Sequence, residues 1–123
     1  MLTDLIFYTA LSGLIAHELD AVSKREWRLL FVLRHLPEPQ ARDAFVLVHV
    51  PVVALLLWLA AHPDATIRHW TMLMLDLFIV VHVFLHWRLS NHPKYEFGDG
   101  LSKLLIYAPA VVALAHLVLT VNV

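Results

Sequence analysis

The histidines carry the chemistry suggested by this sequence. Nine of them sit in a chain of 123 residues that is 60% hydrophobic and only 15% charged. His82 and His86 stand four apart and share a face if helical, and His17 and Asp20, three apart, do the same. Glu18 follows His17 directly and points about 100° away from it, while His49 lies in a separate apolar stretch. Neutral imidazoles with carboxylates are ligands for Zn²⁺ or non-haem iron. The candidate ligands are His17, His49, His82 and His86, completed by Asp20 or Glu18, with His92 as a further member. Glu18, Asp20 and Glu96 are candidate general bases for a metal-bound water. Cysteine is absent, which excludes thiolate metal sites, disulfides and thiol nucleophiles.

Further ionisable groups lie around this set. His92 and Glu96, with Tyr95, occupy a loop at 90–100 that can fold over the site as a lid or offer a second metal position. Glu26 can reach the same rim. Asp76 is two turns deeper than His82 and reads as a helix–helix hydrogen-bond group or a channel group. His62, His69 and His116 read as interfacial residues. The competing reading of the histidine layer is an interhelical hydrogen-bond network with no metal. For His92 and Glu96 the competing reading is a solvated loop.

Four apolar stretches must position these groups: 2–22, 44–61, 71–89 and 101–121. Each approaches the roughly 20 residues that cross a bilayer as a helix. The expected architecture is an all-α integral membrane four-helix bundle, forming one transmembrane domain. A soluble bundle would need polar helix faces, and Val52–Ala61 shows none. A signal peptide fits the first stretch poorly, since it opens with Asp4 and no basic residue. Segment 22–43 mixes basic residues with Trp27, Leu29, Leu30 and Phe31, which predicts a short interfacial helix stopped by Pro37 and Pro39. Ala61-His62-Pro63-Asp64 reads as a tight turn, and Pro51 and Pro109 are expected to kink their spans.

Eight of the nine Lys and Arg residues fall in the loops 22–43 and 88–103. The positive-inside rule then places these loops in the cytoplasm and both termini outside, across a prokaryotic inner or plasma membrane. The tryptophans and the Lys24–Arg34 cluster read as headgroup anchors. His17 and Asp20 near the end of span one, His49 near the start of span two, and His82 and His86 near the end of span three all fall roughly 5–11 Å below the cytoplasmic boundary. Helices of alternating direction thus bring their ionisable groups to one layer. Such groups cost about 2.5–3.5 kcal/mol each unless partnered, and one ion can partner several.

Several strings in order carry a resemblance. They are His17-Glu18-Leu19-Asp20-Ala21, Arg25-Glu26-Trp27-Arg28, His49-Val50-Pro51, Asp76-Leu77-Phe78 leading to His82 and His86, and His92-Pro93-Lys94-Tyr95-Glu96-Phe97. Together they resemble an uncharacterised family of small four-span prokaryotic membrane proteins, over most of the chain. That resemblance implies the fold and no activity. His17-Glu18-Leu19-Asp20 is more faintly similar to membrane proteins named for a His-x-x-Glu-Glu motif, without the paired glutamates. The His82-x-x-x-His86 pair is similar to one box of the membrane di-iron hydroxylases and desaturases, which carry several.

Two classes of function follow. One is a metal-dependent enzyme acting on a lipid or small amphiphile from the cytoplasmic leaflet, hydrolytic with zinc or oxidative with two irons. The other is a metal- or proton-handling module or membrane-complex subunit, which would need to form a homo-oligomer to make a pore. A net charge of -1 gives no reason to expect nucleic acid.

Overall fold

A computed structural model describes residues 1–121. Four helices account for most of them: α1 (Leu2–Ser23), α2 (Glu38–Ala60), α3 (Ala65–Leu89) and α4 (Gly100–Val121). All four are long and apolar enough to cross a membrane. α1 packs along α4 and against α3, α4 also packs along α3, and α2 leans mainly on α3. Tyr8 at the start of α1 donates to the Ala60 carbonyl at the end of α2, 3.4 Å away, as alternating helix directions require.

Two helices begin earlier than the apolar stretches suggest. Asp64 caps α3, its Oδ1 accepting from the amides of Thr66 (2.8 Å) and Ile67 (3.1 Å). Helix therefore starts at Ala65 rather than at 71, including a polar turn that hydropathy discounts. α2 starts at Glu38, with Pro39 in its first turn. The prolines expected to stop a preceding helix instead start the following one, because a first-turn proline sacrifices no intrahelical hydrogen bond.

The interfacial segment before α2 takes the form of two short 3-10 turns, Glu26–Arg28 and Leu33–His35. Between α1 and the first of these turns, Arg25 lies in the left-handed region, at φ 53°, a conformation uncommon outside glycine and asparagine. That reversal turns Glu26 and Trp27 back onto the bundle, where both are buried.

The interior has two apolar centres. One lies mid-bundle, with Phe7, Leu11 and Leu14 of α1 against Leu75 and Ile79 of α3. The second lies at the end where α1 and α3 finish, and includes Ala21, Trp27, Phe45, Phe97 and Ile106. Between α1 and α4 the backbones approach closely at Gly13. A Cβ there would lie 2.5 Å from Pro109 Cγ, so no larger residue fits without displacement. The outside carries many exposed large hydrophobics, among them Leu47, Val50, Phe84, Leu104 and Val111. Such a surface suits hydrocarbon and would associate in water.

Candidate metal centre

The end of α1 and the last two turns of α3 meet with their histidines facing each other. His17 Nε2 lies 3.0 Å from His82 Nε2, which in turn lies 3.1 Å from His86 Nε2. The three rings are steeply inclined to one another, at 69°, 85° and 68°. Glu26 completes the group, its Oε2 3.7 Å from His17 Nε2. One ligand atom from each of the four residues lies within 4.8 Å of all the others. His17, His86 and Glu26 are buried, and His82 is partly exposed.

The protein's own groups do not fully satisfy the hydrogen-bonding capacity of this contact. A neutral imidazole Nε2 carries either one hydrogen or one lone pair. His82 Nε2 touches two other Nε2 atoms, so it cannot make a well-formed hydrogen bond to both. Glu26 Oε2 is buried with no hydrogen-bond partner among the described residues. Three imidazole nitrogens and one carboxylate oxygen, all within 4.8 Å of one another, match in type and number the donor set of a tetrahedral Zn²⁺ site. Zinc–nitrogen bonds of about 2.0–2.1 Å place ligand nitrogens about 3.3 Å apart, a few tenths of an ångström beyond the spacing seen here.

Neighbouring residues set the orientation of this group. His86 Nδ1 lies 3.2 Å from Tyr95 Oη, so an Nδ1–H donated to the hydroxyl leaves the Nε2 lone pair facing the cluster. Burial, and secondarily Tyr107 and Glu26, push the Tyr95 phenol up to about 12, so it remains a hydroxyl at neutral pH. The Phe97 ring, fully buried, packs on His86 (4.7 Å between centroids) and His17 (5.5 Å). It closes the cluster on the side of the 90–99 connection. Burial, and then the nearby Glu18 and Asp20 carboxylates, push Glu26 up to about 8. A carboxyl held protonated this way ionises when a cation arrives.

The remaining expected residues lie elsewhere. His49 stands apart from the three-histidine group: its Nε2 meets Glu18 Oε2 at 3.0 Å, and its Nδ1 lies 2.5 Å from the Phe45 carbonyl. If Nδ1–H donates to that carbonyl, the Glu18–His49 contact holds a further proton between them. Asp20 accepts from Ser102 Oγ at 2.6 Å, tying α1 to the start of α4. His92 is exposed, its Nδ1 accepting from the Lys94 amide at 3.2 Å. Glu96 is exposed and pairs with Arg28 at 3.4 Å. Glu26, expected only at the rim, is the carboxylate the fold brings to the histidines. Its position beside Trp27 in an otherwise basic segment is the one sequence signal that it turns inward.

Deeper in the bundle, His116 and Asp76 are both buried and paired, with Nδ1 and Oδ2 2.5 Å apart. This agrees with Asp76 as a helix–helix group and corrects the interfacial reading of His116. The periodicity of α4 places His116 on its α3-facing side, not at the lipid surface.

Comparison with known proteins adds family membership without chemistry. No curated protein and no solved structure matches the chain significantly. The profile of a family of unknown function, DUF6713, matches residues 3–123, nearly the whole chain. With four apolar helices and a largely buried three-histidine, one-glutamate group among its described residues, the chain belongs to the DUF6713 family.

Proposed function

We propose that this protein is a membrane-embedded, metal-dependent enzyme of hydrolytic type, with one zinc ion, acting on a lipid or small amphiphile at the cytoplasmic leaflet. The observation that carries this reading is the convergence of three imidazole Nε2 atoms and the Glu26 carboxylate at one point. His17, His82 and His86 hold the ion. Zinc in such a site supplies a bound water with a pKa near 7. Glu26, its Oε2 3.7 Å from His17 Nε2, would serve there as the general base for that water and the acid for the leaving group. His82 is the member of the group with some exposure, so substrate reaches the ion past α3 rather than past Phe97. Glu18 and Glu96, read from sequence as bases, are engaged with His49 and Arg28. Together with the single ligand group among the described residues, this favours one ion over a di-iron pair.

A second reading rests on the burial of His17, His86 and Glu26. Four protein ligands around a closed centre describe a structural zinc site. In that case Glu26 binds the ion permanently and no water is activated.

Elemental mass spectrometry on the detergent-purified protein tests the site. The expected result is near-stoichiometric zinc, lost in the His82→Ala, His86→Ala double variant. Absence of metal in the parent protein, even after incubation with zinc or iron, would sink the metal reading. Stoichiometric iron would move the chemistry to oxidation. Glu26→Gln then separates the two zinc readings. The enzyme reading expects loss of acyl-ester hydrolysis in vesicles with zinc retained, and the structural reading expects loss of zinc.

A further inference from the structure

The helices do not close on one another everywhere. α2 leans on α3 and the connecting turns, and makes little contact with α1. The gap is a groove of about 300 Å³ running from Glu18 to Leu11 on α1 and from His49 to Leu57 on α2, floored in part by Leu75 and Phe78 of α3. Leu11, Leu14 and Leu75 are buried at its base, while Val52, Leu57 and Phe78 are exposed along its margins. It therefore opens sideways, onto the surface that faces the hydrocarbon.

Its dimensions select the occupant. Seven to eight residues of helix give a length of about 10–12 Å, close to the roughly 15 Å of one leaflet's hydrocarbon. An unbranched hydrocarbon chain matches that length and the apolar lining. The lining is apolar except at one end, where the half-buried Glu18–His49 pair lies. Phe78, at the groove margin, packs its ring on His82 at 5.4 Å.

We infer that this groove binds a single acyl chain of a bilayer amphiphile, with the polar group of that molecule hydrogen-bonded at Glu18 and His49 beside the three-histidine cluster. The assignment of that amphiphile as substrate rests on the enzymatic reading above. The binding itself does not.

The test is photolabelling in phosphatidylcholine vesicles doped with a fatty acid bearing a mid-chain diazirine, with adducts mapped by tandem mass spectrometry. Labelling at Leu14, Val53 and Leu57 is expected to exceed that at Val111 and Leu114, on the lipid-facing side of α4, by about tenfold. Unlabelled oleate should compete at the groove and not at α4. Val53→Trp should remove the groove adducts and leave those on α4. Even labelling of all lipid-facing helices, failure of oleate to compete, or adducts that join two copies through α2 would overturn the inference. Zinc content measured on the same samples keeps the two proposals apart. Zinc without groove labelling sinks this inference alone, and groove labelling without zinc sinks the metal centre alone.

Discussion

Tyr95 touches no proposed substrate, yet by accepting an Nδ1–H from His86 its hydroxyl would leave Nε2 free to bind an ion. Replacing it with phenylalanine keeps the ring and removes the acceptor. Tyr95→Phe should weaken zinc binding by about 10–100-fold, the usual effect of losing such a partner, in competition with a chromophoric chelator, while helicity is unchanged. Asp99 acts at the same scale on stability. Its carboxylate pairs with Lys24, and its Oδ1 accepts from the Ser102 amide at 2.9 Å, capping α4. The Lys24 ammonium and that cap hold its pKa well below the usual carboxylate value of 3.8. A depressed folded-state pKa gives stability that is fully present above 3.8 and lost as pH falls through the lower folded value. Asp99→Asn should therefore lower the Tm at pH 7, and the gap from the parent protein should close on acidification below pH 3.8. An unchanged gap across that window would show that the contribution is not ionic. At this scale the sequence made His17, His82 and His86 legible, because depth follows from counting residues along a span. It did not separate His49 from them. His49 has the right depth but faces Glu18, and which way α2 is rotated depends on Phe45 and Trp27 packing that spacing does not encode.

Among the elements, α1 is the one every functional group depends on. It carries His17 and Glu18, ends in the reversal that delivers Glu26, and seats against α4 at Gly13. Gly13 is one turn before His17 and shares its face. Gly13→Ala places a methyl group against the Pro109 ring and should destabilise the fold by about 1–3 kcal/mol, as overpacking does, measured by unfolding in mixed detergent. Gly98→Ala is the matched control, since nothing lies within 4 Å of the added carbon. Equal stability of the two variants would mean that α1 and α4 part without cost. The spans themselves were legible because hydropathy and length suffice to find them. The N-terminal ends of α2 and α3 were not, since α3 begins with a capped polar turn and α2 with a proline turn, both outside the apolar signal. The expected interfacial helix became two 3-10 turns because the chain must reverse at Arg25 to bury Glu26 and Trp27.

For the molecule as a whole, orientation is the property its charges predict most directly. With the basic loops in the cytoplasm, Ser90→Cys in the loop carrying Tyr95 and Phe97 should be shielded from an impermeant thiol reagent in intact cells, and His62→Cys between α2 and α3 should be labelled. The reverse pattern would place the histidine cluster at the outer leaflet. The absence of native cysteine makes this measurement free of background. The order of the ligands along the chain also has a bearing on how the protein is made. His17 and Glu26 come from the first span and its sequel, but His82 and His86 come from the last turns of the third. A nascent chain arrested after α2 offers only two of the four donors of the group, His17 and Glu26. On the zinc reading, ion capture waits until the third span has inserted in the right direction. Metal loading would thereby mark completed biogenesis, and a protease that removes unloaded chains would be removing misinserted ones.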